Sequence, residues 1–329
     1  MRPLARKYRN NRPRWQAYSR VGIVLMLSLL WSEDKAISAQ IAPGSRLILD
    51  SVLLGPFQAE RPLNDPGTPY RTLRIWLPPD YDTDTAARPL LVLLDGQNLF
   101  DGATSFSGEW QVDEQLSALE AQGVRVPVVV GVDNAGVQRT AEYTPVAHPE
   151  YGGGEAAHHL VFLTDFVLPY VQAEYRVSKR PVEVAIGGSS IGGIMALYAV
   201  LHAPESFGTA LVFSPAMWFL GKEVRDITDA TIPNDLLCWG RMGTAEGRDN
   251  WNESFAVGQE RLNRFGLGFI ETYYGLRRSG WPAGNLEWSL DPQGEHNESW
   301  WSSVFPLAVR WWLEHPLVKA PLQPAVPER

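Results

Sequence analysis

Cysteine is nearly absent from this chain. Cys238 stands alone among 329 residues, so no intramolecular disulfide braces the fold and stability rests on an apolar core. Cys238 itself, in the run Leu236-Leu237-Cys238-Trp239, reads as a buried apolar thiol. Histidine is scarce, with six residues, and no Cys/His set stands at metal-ligand spacing, so the reading carries no metal and no cofactor. Cations are outnumbered, 29 Lys+Arg against 37 Asp+Glu. Residues 1–38 hold eight of those cations and two of the acids, which leaves 21 against 35 beyond them, a net charge of −14. Binding a phosphate backbone needs a basic face that such a body lacks, which excludes nucleic acid as a partner. There is no internal repeat.

The charge asymmetry marks the N-terminus. Residues 1–20 carry seven basic side chains and no acidic one, followed by an eleven-residue apolar run at 21–31 and a polar stretch ending Ala36-Ile37-Ser38-Ala39-Gln40. That is the shape of a signal peptide, with Ala36 and Ser38 suited to the −3 and −1 positions of a cleavage site. A spanning helix needs about 20 residues, so the run is short for a bilayer, although an uncleaved anchor stays open as the alternative. Either way the expected destination is periplasmic or secreted, with no membrane contact beyond the export signal. Residues 39–315 then form one catalytic domain, and the Pro-rich stretch 316–329 is expected to be a disordered tail.

Strand-like runs near 45–54, 71–78, 89–94, 126–132, 182–187, 210–214, 236–240 and 285–290 alternate, from the third onward, with helical stretches near 110–122, 158–175, 191–203, 253–266 and 298–314. Such alternation implies an α/β fold, with a mostly parallel central sheet of about eight strands and helices on both faces. In the 158–175 segment Leu163, Phe166, Val167, Tyr170 and Val171 share one helical face, which leaves His158 and His159 as expected surface residues.

The most informative stretch is Gly187-Gly188-Ser189-Ser190-Ile191-Gly192-Gly193, directly after the apolar run Val182-Glu183-Val184-Ala185-Ile186. Gly188 to Gly192 fits G-x-S-x-G, in which a serine sits on a sharp strand-to-helix turn and the glycines remove Cβ atoms that would clash there. Ile194, Leu197, Tyr198 and Leu201 then supply one face of the helix that the motif requires. Ser190 is the candidate nucleophile.

A serine hydroxyl needs a base to take its proton and a carboxylate to orient that base. In the order Ser, acid, His along the chain, His148, His158 and His159 come too early. His202 lies roughly 18 Å along the helix that starts at the nucleophile, at 1.5 Å per residue. His296, in the polar loop Gly294-Glu295-His296-Asn297-Glu298, is the better base. His315 reads as a helix-terminal residue favoured by the dipole. The strand Leu236-Leu237-Cys238-Trp239-Gly240 leads to Gly243-Thr244-Ala245-Glu246-Gly247-Arg248-Asp249, where Glu246 is the preferred acid and Asp249 the alternative. An oxyanion hole takes one N–H from the residue after the nucleophile, Ile191. The second comes from the loop after the third strand, where Gln97 is preferred and Asn98 is the alternative.

With these turns in place the chain resembles the enterochelin-esterase-like (esterase D) family of α/β-hydrolases, over about residues 45–315. Further segments carry the likeness: Val132-Asp133-Asn134-Ala135-Gly136, Arg139-Thr140-Ala141-Glu142-Tyr143-Thr144-Pro145, Gln172-Ala173-Glu174-Tyr175-Arg176 and Phe213-Ser214-Pro215-Ala216-Met217-Trp218. The resemblance implies Ser190, Glu246 and His296 as a triad, Gln97 and Ile191 as oxyanion donors, and a serine esterase acting on a small-molecule ester. A siderophore-like lactone or an aryl or sugar ester is the expected substrate. Acyl transfer on the same fold is the alternative, and an inactive binding module is a more distant one. Of thirteen tryptophans, Trp110, Trp218, Trp281, Trp300 and Trp301 fall at predicted element ends near the catalytic edge. Trp110 and Trp218 are the candidates for stacking on substrate, and Arg139, with Arg277 and Arg278, is a candidate basic contact. Oligomeric state is not legible.

Overall fold

The computed structural model describes residues 41–53, 70–223, 232–246, 255–257, 260–262 and 264–320. The expected leader at 1–38 and Asp249 lie outside the described residues. Twelve strands are described: β1 (Arg46–Leu53), β2 (Tyr70–Leu77), β3 (Leu90–Leu94), β4 (Val128–Val132), β5 (Ala147–His148), β6 (Gly152–Gly153), β7 (Val184–Ser189), β8 (Thr209–Phe213), β9 (Leu237–Gly243), β10 (Phe255–Val257), β11 (Glu260–Leu262) and β12 (Leu286–Asp291). Eight form one sheet in the order β1-β2-β4-β3-β7-β8-β9-β12. β2 runs antiparallel to β1 and β4, and every other neighbouring pair is parallel.

A parallel strand covered on both faces must be apolar at every position, not at alternate ones. In β3, β4 and β8 each residue is indeed buried. Successive side chains then feed two cores. On one face Val92, Val130 and Ile186 pack with helix Ile191–His202, whose Ile194, Met195, Leu197 and Val200 are buried. On the other, Leu91, Leu93, Val129, Ala185 and Leu211 pack under helices Val112–Ala121 and Glu298–Glu314, with Trp312 and Phe305 fully buried. Each such Leu, Val or Phe contributes about 1.5–3 kcal/mol by leaving water. Among the described residues no helix is long and apolar enough to cross a membrane.

Several local expectations need correction. In place of one helix over 253–266, β10 and β11 pair as an antiparallel hairpin and the helix runs Arg264–Arg278. Phe255 and Val257 are aromatic and β-branched, residue types that favour a strand over a helix. The tail does not begin at Pro316, because Pro316–Lys319 forms a helical turn that buries Val318. His315 holds that junction, its Nδ1 accepting the Leu317 N–H. The 158–175 helix continues through Ala156–Phe162, Leu163–Val167 and Leu168–Glu174, the middle part widened to a π turn. Pro169 has no N–H to offer the preceding turn, which relaxes the register there. His159 is buried at 4% exposure, packed against the rings of Tyr143 and Phe162, because the inner face of that helix is broader than its apolar residues suggest.

Two consequences are testable. Gly243, at the end of β9, lies against Gly294 beyond β12, and a Cβ on Gly243 would sit 1.9 Å from the Gly294 carbonyl oxygen. Since that neighbour is backbone, Gly243→Ala is expected to cost about 1–3 kcal/mol or more in urea denaturation. Separately, the first-turn carboxyl of Asp113 is fully buried and accepts the Ala42 N–H at 2.9 Å. Burial, with Glu114 adding like charge, pushes it from 3.8 up to about 7. Between those values the folded chain keeps a proton that the unfolded chain has released, so stability falls as pH rises through that window. Asp113→Asn is expected to remove this slope, and its stabilising effect in denaturation curves should grow from pH 5 to pH 8.

Candidate active site

The carboxyl ends of five parallel strands lie along one edge of the sheet, and each hands on a loop that carries a polar group. β7 ends at Ser189 and Ser190 follows in a turn with φ 56° and ψ −123°, a region that L-residues rarely adopt. The turn is sharp because Gly188 and Gly192 touch: a Cβ on Gly188 would lie 2.8 Å from the Gly192 carbonyl carbon. Helix Ile191–His202 starts at once, so its unpaired first N–H groups and its positive dipole end stand beside the Ser190 hydroxyl.

His296 reaches this hydroxyl from the loop after β12. Its Nε2 is 3.1 Å from Ser190 Oγ and its Nδ1 is 2.8 Å from Glu246 Oε2. Glu246 comes from the turn after β9. Its side chain has 0% exposure while that of His296 has 28%, so the carboxylate is sealed and the imidazole faces solvent. Glu246 Oε1 accepts the Gly243 N–H at 2.8 Å and the Ser214 hydroxyl at 2.5 Å. The His296 ring is held edge-on by Trp301 and Phe265, at 5.0 Å and 5.9 Å between centroids.

The turn after β3 supplies the opposite wall. Asp95 adopts φ 60°, and the Asn98 N–H is used inside the turn on the Asp95 carbonyl. That leaves Gln97, not Asn98, with an N–H that meets no acceptor among the described residues, as does Ile191 at the first position of its helix. The Gln97 side chain is spent on accepting the Asn134 N–H at 3.2 Å.

The comparisons with known proteins bear on this geometry. Residues 68–267 match the model of the family described as "Putative esterase". The chain belongs to that family. It is a carboxylic-ester hydrolase of the α/β-hydrolase fold. The esterase is 23% identical to the protein YbbA of Bacillus subtilis strain 168 over 247 residues, 73% of this chain and 92% of the relative. It is 28% identical to the siderophore triacetylfusarinine C esterase of Aspergillus fumigatus over 54% of this chain and 65% of that protein. The ferric enterobactin esterase of Salmonella typhimurium shares the fold with a TM-score of 0.59 at 20% identity, over 85% of this chain and 60% of that one. The esterase thus spans under two thirds of either siderophore esterase.

Two of the expected substrate contacts need revision. Trp110 is not at the mouth of the esterase: it is 3% exposed and packs on Phe213, Trp301 and Phe305, since a loop position does not say which way an indole points. Arg139 lies near the site but is engaged, its Nε and Nη2 meeting the two Asp95 oxygens at 2.6 and 2.7 Å. Burial opposes its charge, Asp95 favours it, and the net lies above the ordinary arginine value. Trp218 is one ring removed from His296, 5.5 Å from Phe265, which in turn faces the imidazole at 5.9 Å. Trp281 is buried and donates to the Leu236 carbonyl, a structural role. Ser214 lies in a segment that carries the family likeness, but nothing local to its Ser-Pro pair shows what the hydroxyl meets. Among the described residues the side chains able to gather round a cation are Glu109, Asp113 and Glu114, with oxygens within 4.8 Å of one another, and the raised Asp113 carboxyl favours a shared proton there.

Ser190→Ala is expected to lower ester hydrolysis by on the order of 10⁴–10⁶-fold, and Ser189→Ala to leave most of it. Glu246→Gln should cost about 10³–10⁴-fold in kcat. Steady-state rates on an aryl ester, with circular dichroism to confirm folding, check all three.

Proposed function

We propose that the chain is an exported serine esterase in which Ser190, His296 and Glu246 act as a triad. The observation that carries this reading is the hydrogen-bonded row Ser190–His296–Glu246 at the carboxyl edge of a parallel sheet, beside a helix N-terminus. Ser190 Oγ attacks the ester carbonyl while His296 Nε2 takes its proton. The developing oxyanion is met by the N–H groups of Gln97 and Ile191. His296 then returns the proton to the leaving alcohol, and a water, deprotonated by the same imidazole, releases the acid from Ser190. Glu246 holds the tautomer and balances the imidazolium without itself taking the proton. Residues 39–315 form the catalytic domain, and the basic lead followed by the short apolar run at 21–31 supports delivery to the periplasm or the outside.

The substrate we propose is a siderophore-like lactone or another ester bearing aromatic groups. Trp218, Phe219 and Tyr151 form an aromatic cluster with His148, linked through Phe265 to the imidazole. Tyr151 is half exposed, which leaves ring surface open to a ligand. Charge narrows the choice. Arg139 is neutralised by Asp95, and the body beyond residue 38 carries −14, so the iron-free lactone suits the site better than an anionic ferric complex.

Trp218→Ala is expected to raise KM for an aryl or catecholate ester by about 5–10-fold, the equivalent of one stacking contact, with a smaller change in kcat. Purified protein is assayed on catecholate lactone with and without iron, feruloyl ester, acetylated xylan and short aliphatic esters. Equal kcat/KM on the aliphatic and aromatic series, unaffected by Trp218→Ala, would remove the aromatic assignment.

A further inference from the structure

Ser214 is the least expected feature of this edge. It follows β8, is fully buried, and precedes Pro215, a position where steric contact with the proline ring favours extended backbone. Its φ is nevertheless +42°. The surroundings impose that conformation: the Ser214 N–H donates to the Arg241 carbonyl at 2.8 Å, and two residues on the Ala216 N–H donates to the Ser190 carbonyl at 3.1 Å. The turn Ser214-Pro215-Ala216 therefore grips the backbone of the nucleophile at one end and presents a hydroxyl at the other.

That hydroxyl has one hydrogen to give, and its direction is determined. Trp301 Nε1, a donor only, points at Ser214 Oγ from 2.9 Å and occupies one lone pair. The Ser214 proton is left to Glu246 Oε1, at 2.5 Å. The other oxygen of the same carboxylate bonds His296 Nδ1 at 2.8 Å. An unbroken chain thus runs Trp301 to Ser214 to Glu246 to His296 to Ser190, the last link being 3.1 Å. Trp301 also closes the figure, since its ring meets that of His296 edge-on at 81°.

Building on the triad reading above, we propose that Ser214, oriented by Trp301, is a positioning residue of the reaction: it pins the Glu246 carboxylate in the rotamer that faces His296. A carboxylate with no exposed surface needs donors to remain charged, and hydrogen bonds to charged groups in such surroundings are the strong ones. Ser214 supplies a side-chain donor to Oε1, and the strained backbone at φ +42° is what aims it.

Ser214→Ala isolates the hydroxyl, because alanine and serine both carry a Cβ and bear the same backbone strain. Expected are a fall in kcat of about 10-fold or more with KM within twofold, and displacement or loss of the low-field proton resonance of the His296–Glu246 hydrogen bond. Trp301→Phe keeps the ring and deletes only the N–H. It should displace the same resonance with a loss of about 2–5-fold in kcat, and it serves as the test if Ser214→Ala does not fold. Unchanged kcat and resonance in both variants would overturn the proposal. So would a loss of rate that follows thermal stability while the resonance stays in place. His296→Ala and Ser190→Ala run alongside: if either retains hydrolysis the triad reading itself fails, whereas their inactivity beside a fully active Ser214→Ala defeats only the role of Ser214.

Discussion

Glu246 is a carboxyl group with no exposed side-chain surface, and a buried polar group is tolerated only when hydrogen-bond partners replace the water it has lost. Its donors come from three strands that are far apart in the chain. Gly243 belongs to β9, Ser214 follows β8 and His296 follows β12. Gly243 reaches the carboxylate from within the same turn, but Ser214 and His296 can do so only because β8, β9 and β12 are adjacent and in register, as the parallel pairing places them. The approach of β9 and β12 goes further, since their loops touch through Gly243 and Gly294 and the Ala245 N–H bonds the Gly294 carbonyl at 3.1 Å. The solvation of one carboxylate is in this sense the constraint that the site is built around.

A second polar network does the same for the turn after β3. Arg74 on β2 meets Asp133 in a two-pronged pair, Asn134 Nδ2 donates to Asp95 Oδ1 at 2.7 Å, and Arg139 spans both oxygens of that carboxylate. Tyr143 is raised well above the usual phenol value by burial and by the Asp95 charge, so it stays neutral as it accepts the Asp95 N–H. A turn with φ 60° at Asp95 is held by side chains from β2, from the loop after β4 and from the helix Arg139–Tyr143. Such preorganisation lets backbone N–H groups face a developing charge without reorganising when it forms.

These networks also bear on recognition. Residues that read in isolation as substrate contacts are consumed internally, Arg139 by Asp95 and Trp110 by the aromatic core. What remains open beside the imidazole is aromatic, with Phe265 and Trp218 leading away from it. On the reading proposed above that wall suits an aromatic ester, with the Arg264 guanidinium 5.1 Å over the Trp218 ring placing a cation beside it.

The order of strands and helices, and Ser190 and His296 as a candidate pair, are legible in the sequence, whereas Glu246 against Asp249 and Gln97 against Asn98 stay open there. Strands covered on both faces must be continuous apolar runs, which makes β3, β4 and β8 legible, while the edge strands β1 and β12 show as shorter apolar stretches broken by polar residues. Ser190 is legible because a strand-to-helix turn this tight demands glycines at fixed offsets, a local steric rule. His296 follows by elimination among six histidines, and the turn holding Gln97 and Asn98 from the break after an apolar run. Tertiary structure alone decided the rest. Ser214 and Glu246 are 32 positions apart, Asp95 and Arg139 44, and Ser107 and Glu298 191. No periodicity links such pairs, because which of several polar side chains meets a given partner depends on strand order and loop path. The same holds for the direction of Trp110, and for the +42° backbone at Ser214, which local preference before a proline argues against and only the packed sheet edge enforces.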